Sequence, residues 1–354
     1  MLRAAAALGA GREWRVSRGF PTFMGGFIAL HCSGFRPMPL ASFAILDQRG
    51  ILAVTGPDRV GFLQGLVSND VAKLTPSRAL YAALLTAQGK YLHDFPMIDV
   101  GDELRLDGEA ERLGDLKRRL SMYRLRAKVA VEERPELAVA AVFGPDALAA
   151  FELPAEPGAA RPAGDGIALV DPRLAALGAR YIGPRETIRL ALAALDLTEA
   201  DFATYDRHRL ALGIPDGSRD LVIEKSILLE SGFDELHGVD WQKGCYIGQE
   251  LTARTKYRGL IKKRLFPVKI DGPAPAAGDI ATLDGKEAGE MRSSRDGIGL
   301  ALLRVEAVSE NRVLSVGNAT VTPLHPDWMR VDEMEKPLSR IAGEGGASAE
   351  GVGG

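Results

Sequence analysis

Cysteine is nearly missing from this chain. Only Cys32 and Cys245 occur among 354 residues, alongside five histidines. Two thiols cannot build a disulfide framework, and they fall short of the three or four thiolates of a self-contained zinc or iron–sulfur site. Any metal held here needs ligands from another molecule, and a reducing compartment is the default. Long apolar runs are missing too. The longest uncharged stretch, residues 19–35, contains Pro21, His31 and four glycines, which makes a poor bilayer helix, so no membrane span is expected. Basic charge is not in excess either. The formal net charge of −3 argues against a dedicated nucleic-acid binder.

What is present is an ordinary globular composition. With 46% apolar and 26% charged residues the chain can fill the cores of two or three domains. The first 37 residues stand apart. Arg3, Arg12, Arg15, Arg18 and Arg36 face one acid, Glu13. That is the composition of a transit peptide, and the competing reading is an over-extended start with the true chain beginning at Met38. We favour the second. Cys32 lies in this leader, so Cys245 stands alone.

Phe43 to Leu46 and Gly50 to Val54 read as a hairpin pair turning at Asp47, Gln48 and Arg49. Thr55-Gly56-Pro57-Asp58 opens a helix that carries Val60, Phe62, Leu63, Leu66 and Val67. Strands follow at 80–86 and 91–100 around Gln88-Gly89-Lys90, and at 104–106; a helix spans 109–123, and strands 128–131 and 137–142 come next. Pro145 opens a short helix to Phe151, and the Ala-, Pro- and Gly-rich stretch 154–166 reads as a linker or variable loop. A helix capped by Thr198 runs to Leu212. From residue 266 the texture changes to six short strands (268–270, 280–283, 288–293, 297–304, 313–316 and 319–322), the pattern of a small barrel. The domains are therefore 1–37, a leader or mis-called start; 38–265, an αβ region in two lobes; 266–330, a β-barrel; and 331–354, a disordered tail rich in Gly, Ala, Ser and Glu.

Chemistry concentrates in Lys243-Gly244-Cys245-Tyr246-Ile247-Gly248-Gln249-Glu250. A thiol reacts and binds metal as the thiolate, which a nearby cation or a helix N-terminus favours. Lys243 is such a cation if its side chain turns the same way. Gly248-Gln249-Glu250 reads as the start of a helix closed by Gly259, with Glu250 and Arg254 spaced as an i,i+4 ion pair. Gly244 and Gly248 let the backbone turn tightly or approach a ligand. The bland alternative is a small buried Cys245. Residues 251–270 carry seven basic side chains and no acid, which is either a solvated surface or a site for an anion such as a carboxylated tail or a phosphate.

Lys243 to Glu250, continued by Leu251-Thr252-Ala253-Arg254-Thr255, closely resembles the signature of the YgfZ family, which has mitochondrial Iba-type relatives. Gly61-Phe62-Leu63-Gln64-Gly65 with Asn69-Asp70, Leu84 to Lys90, Tyr123 to Val129, and Arg258-Gly259 before Lys263-Arg264-Leu265 agree in order. The resemblance implies an α+β fold like the glycine-cleavage T-protein, three lobes around a central folate channel, ending in a small β-barrel. It implies tetrahydrofolate as cofactor and a role in maturing [4Fe–4S] proteins. Partners would be A-type iron–sulfur carriers and client enzymes, with neither nucleic acid nor membrane.

On this reading Cys245, with Lys243, is the reactive group and a transient metal ligand completed by external ligands. Arg254, Tyr246, Gln249, Glu250, Gly244, Gly248 and Asp94 would bind the cofactor. The chain departs from T-proteins in having His93-Asp94 where they have an Asp pair. Classical turnover is therefore not expected, and His93 reads as a core or hydrogen-bonded histidine. The alternatives are a tetrahydrofolate-dependent one-carbon transferase using Asp94 and a tRNA-modification factor. The favoured compartment is the bacterial cytoplasm, or the mitochondrial matrix if the leader is genuine.

Overall fold

A computed structural model describes residues 41–259, 261–308 and 312–330. The leader and tail lie outside the described residues. The chain starts with β1 (Ser42–Ile45) and β2 (Arg49–Thr55). They turn where the sequence says, with the Arg49 amide donating to the Leu46 carbonyl at 2.9 Å, but they do not form a hairpin. Each joins a different sheet. Both are apolar and buried on both faces, so each can pair with its own neighbours.

Next come α1 (Arg59–Gln64), β3 (Leu80–Leu85), β4 (Tyr91–Asp99), β5 (Glu103–Glu109), α2 (Leu113–Tyr123) and β6 (Ala130–Glu133). These strands and β2 make an antiparallel sheet in the order β3-β4-β5-β2-β6. The second sheet adds β7 (Leu137–Phe143), β8 (Ala160–Ala163), β9 (Gly166–Val170), β10 (Ala179–Pro184) and, after α3 (Ile188–Ala193), β11 (Thr198–Glu199). Its order is β11-β1-β7-β10-β9-β8.

Three readings need correction here. The supposed linker contains β8, an edge strand, where Pro162 is tolerated because it needs no ladder donor on its open side. Thr198 pairs alongside β1, and the helix α4 (Phe202–Ala211) is capped by Asp201, whose carboxylate accepts from the Thr204 amide at 2.8 Å. The helix after Pro145 is only a single 3₁₀ turn, Ala149–Phe151.

Alternation explains the layering. On β7, Ala138, Ala140 and Val142 enter one core, while Leu137, Val139, Ala141 and Phe143 enter another that also holds Ile51 and Ile98 of the first sheet. On β3, Leu80, Ala82 and Leu84 pack under α1 and α2, whereas Tyr81, Ala83 and Leu85 face Leu228, Phe233 and Tyr246. That second face of β3 is the floor on which Tyr246 and the Lys243–Glu250 segment rest.

Buried charges join the lobes. Arg49 meets Asp107 at 2.7 Å, Asp107 pairs with Arg180, and Arg180 meets Asp171 at 2.8 Å, as does Arg173. Arg209 of α4 meets Asp206 and Asp220 at 2.7 Å, and Arg295 reaches Asp206 at 2.7 Å. Arg295 belongs to β14, within the closed six-stranded barrel formed by β12 (Lys263–Asp271), β13 (Ile280–Leu283), β14 (Lys286–Arg295), β15 (Ile298–Arg304), β16 (Leu314–Val316) and β17 (Ala319–Pro323). All six barrel strands read from the sequence are present, and pairing of β12 with β17 closes the ring.

Candidate functional site

The approach to Cys245 is fixed by hydrogen bonds before the cysteine is reached. The Ser68 hydroxyl donates to the Gly238 carbonyl at 2.6 Å, and the Asn69 amide donates to the carbonyls of Tyr81 and His237 at 2.7 Å each. Asp240 then turns the chain, accepting from the amides of Gln242 at 2.8 Å and Lys243 at 3.0 Å.

Lys243 runs inward. Its ammonium donates to the carbonyls of Gln64 at 2.9 Å, Val67 at 2.6 Å and Asn69 at 2.6 Å. Those three acceptors match its three donors. Burial lowers its pKa to about 8, against Asp70 and Asp240, which raise it. The ammonium also lies 5.1 Å from the centre of the Tyr246 ring. This differs from the expectation of a cation serving the thiol: Lys243 is a positioning residue that ties the loop to the end of α1.

Cys245 itself is a free, exposed thiol, not the small buried hydrophobe of the bland alternative. Gly244 has open space around its Cα. The Tyr246 amide donates to the Gln249 side chain at 3.2 Å, and the Gln249 amide returns to the Tyr246 carbonyl at 3.2 Å. Gly248, at φ +82°, then admits α5 (Gln249–Arg258), which Gly259 closes in a left-handed conformation. Cys245 therefore precedes a helix N-terminus, as the sequence indicates. Gly248 makes a close approach, but to the backbone of the β3–β4 turn.

An open groove of about 560 Å³ is lined by Cys245, Tyr246, Gln249, Glu250, Ala253, Arg254, Tyr257 and Arg258. Glu250 and Arg254 form the i,i+4 pair. The Tyr246 hydroxyl is pushed up to about 12 by burial. The structure thus gathers Cys245, Tyr246, Gln249, Glu250 and Arg254 on one face. Ala253, Tyr257 and Arg258 were missed, although the spacing 246, 249, 250, 253, 254, 257 is a helical stripe that would have found them.

Asp94 is not among the lining residues. It is buried within β4, accepting from the hydroxyls of Tyr81 and Tyr91 at 2.7 Å each. Burial raises its pKa, with Arg49 opposing. Beside it, His93 hydrogen-bonds Asp115 at 2.9 Å, and burial lowers its pKa to about 4. The hydrogen-bonded reading of His93 therefore fits.

The CAF17 C-terminal β-barrel domain matches residues 262–331. Over the longer chain, the mitochondrial iron–sulfur cluster assembly factor IBA57 of Mus musculus is 36% identical across 310 residues, 80% of this chain and 84% of its own. The Homo sapiens IBA57 is 36% identical across 306 residues with the same coverage. The chain belongs to the IBA57 family.

Among solved structures, the glycine cleavage system aminomethyltransferase T of Bartonella henselae superposes with a TM-score of 0.67 at 18% identity, covering 80% of this chain and 85% of its own. The family chain described here thus has the aminomethyltransferase T-like fold, with its closed barrel at the C-terminal end. At that identity the likeness carries the fold alone.

Proposed function

We propose that the chain is an accessory factor in assembling or repairing [4Fe–4S] proteins, with Cys245 as a transient thiolate ligand to a cluster passing between proteins. One observation carries the reading: a single exposed cysteine stands at the edge of an open groove, on a loop locked by the three hydrogen bonds of Lys243. Among the described residues no group of three or more His, Cys, Asp or Glu side chains could hold a metal. One thiolate with no companion cysteine among the described residues suits a shared, short-lived site whose other ligands come from partners. Relatives described as iron–sulfur cluster assembly factors support this role. They are mitochondrial, so they favour the matrix over the bacterial cytoplasm.

Tetrahydrofolate is the cofactor we assign to the same region. The groove is lined by Tyr246 and Tyr257 and by Arg254 and Arg258, aromatic and cationic side chains of the types that suit a ring system with a carboxylate tail. Arg254 would exchange its Glu250 partner for a ligand carboxylate. When bound, tetrahydrofolate supplies a one-carbon carrier. A one-carbon transferase is the weaker reading, because Asp94, its only carboxylate candidate, is buried with two tyrosine hydroxyls already donated to it.

The test uses the full chain. Cys245→Ala is expected to fold and to bind tetrahydrofolate as the parent does, yet fail to restore [4Fe–4S] enzyme activity in cells lacking the protein. Full restoration would overturn the role of the cysteine. Arg254→Ala is expected to weaken tetrahydrofolate binding about tenfold, the scale of one charge-assisted hydrogen bond. Unchanged binding would remove folate from this groove.

A further inference from the structure

α2 ends at Tyr123, and the chain leaves it through a corner that holds a leucine outward. Leu125 has φ +41° and is 90% exposed. Seven non-glycine residues among those described have positive φ, and the other six are Asp, Glu or His. Asp and His tolerate the left-handed region several-fold better than most residues, whereas an apolar side chain gains nothing from it. Local conformation therefore does not explain a leucine here, and neither does packing.

Met122 and Tyr123 are exposed beside it, at 55% and 42%. Tyr123 and Leu125 line a groove of about 700 Å³, with Phe62 and Leu66 in its wall. Arg124 and Arg126 line the same groove, and Lys128 is exposed next to it. Among the described residues the side chains of these three make no ion pair, in contrast to Arg118 and Arg119 on α2, which are paired with Asp115. The one acid lining the groove, Asp58, accepts from the Lys128 backbone amide at 2.7 Å. An apolar groove rimmed by uncompensated cations is complementary to an apolar side chain set among acids.

The corner is close to Cys245. The Ile247 amide donates to the Gly65 carbonyl at 3.2 Å, one residue past α1, and Phe62 of α1 lines the corner groove. Ile247, Phe62 and Ala127 pack on the same core. Two residues of loop, one hydrogen bond and one helical turn put the two grooves within about 20 Å. A protein interface of ordinary size, about 800 Å² per partner, spans that distance.

We propose that the α1 and Tyr123–Lys128 corner docks an acidic protein surface carrying an apolar anchor, and that the partner so held presents its cluster to Cys245. The proposal rests on the assembly role above. It adds the surface that recognises the partner, separate from the residue that touches the cargo.

The test is a titration of the full-length protein with a purified A-type iron–sulfur carrier, scored for affinity and for cluster delivery. Leu125→Asn and the double variant Arg124→Glu/Arg126→Glu are expected to raise Kd at least tenfold. Asn accepts the left-handed backbone, so Leu125→Asn should melt at or above the parent temperature while binding worse, which a merely structural leucine would not do. Cys245→Ala should keep its affinity and lose delivery. If both corner variants bind like the parent, the docking surface is overturned, whatever Cys245→Ala does. If Cys245→Ala delivers clusters normally while the corner variants fail to bind, the cysteine reading falls and the surface stands. A parent protein that ignores the carrier but binds tRNA, weakened by the same corner variants, overturns the protein partner in favour of RNA.

Discussion

Gly248 and Gly89 meet backbone to backbone. A Cβ on Gly248 would lie 2.5 Å from the Thr86 carbonyl oxygen and 3.0 Å from the Gly89 Cα, and a Cβ on Gly89 would lie 2.6 Å from the Gly248 carbonyl oxygen. Both have positive φ, +82° and +79°. The family signature and the β3–β4 turn, separate in sequence, are therefore one packed unit. Gly248→Ala and Gly89→Ala are each expected to cost about 2–3 kcal/mol, combining backbone strain with overpacking. The double variant should lose less than the sum, because both crowd the same contact. Urea denaturation measures all three, and single losses below about 0.5 kcal/mol would show that the turns simply part.

Lys243 supplies the second prediction. Replacing it with Met keeps the apolar stem but leaves the carbonyls of Gln64, Val67 and Asn69 without their shared donor. The expected loss is about 2–3 kcal/mol. Arg is a poor substitute, since a planar fork cannot reproduce three converging donors. Hydrogen exchange of the 240–248 amides should accelerate in both variants while the barrel strands remain protected. Unchanged exchange there would deny the positioning role.

His93 makes stability depend on pH. Its folded pKa of about 4 lies below the ordinary 6.5, so between those values the unfolded chain binds more protons. Stability should therefore be full above about pH 6.5 and fall as the pH drops toward 4, by up to about 3 kcal/mol. Asp115, held below the usual carboxylate range by Arg119, His93 and Arg118 despite its own desolvation, loses its contribution only at lower pH. Denaturation of the parent and His93→Gln at pH 7 and pH 5 checks this. Parallel losses in the two proteins would assign the pH dependence to other groups.

How far the sequence carried depends on what each residue signals. The barrel was legible because its strands are short, alternating and cut by Gly, Asp and Asn, as at Asp284-Gly285 and Asp296-Gly297, where both residues adopt positive φ. The helix after Cys245 was legible from Gly248, Gly259 and the Glu250–Arg254 spacing. The divergence of β1 and β2 was not, because a turn residue reports that the chain reverses, not which strand pairs next. β9 and β10 escaped because short apolar runs such as Ile167 to Val170 do not distinguish strand from buried helix. The direction of Lys243 also lay beyond the sequence, since its three acceptors are backbone carbonyls from residues 64–69 and carry no side-chain signature.

The buried charge ladder gives the last prediction. Arg180 of the second sheet bridges Asp107 of the first sheet and Asp171, which follows β9, and all three are at most 3% exposed. Burial alone would raise the Asp171 pKa, yet Arg173 and Arg180 overcome it and hold the carboxyl below its usual range. Arg180→Met keeps much of the side-chain volume but removes the shared cation. Asp107 retains Arg49 and Asp171 retains Arg173, so each carboxylate keeps one partner. Because no buried charge is left unpaired, the expected cost is about 1–3 kcal/mol, the scale of losing hydrogen bonds to charged groups. It should appear as a lower denaturation midpoint, without faster hydrogen exchange in the 243–258 segment, whose hydrogen bonds do not involve Arg180. A variant as stable as the parent would show that the two sheets are held by their shared apolar core alone.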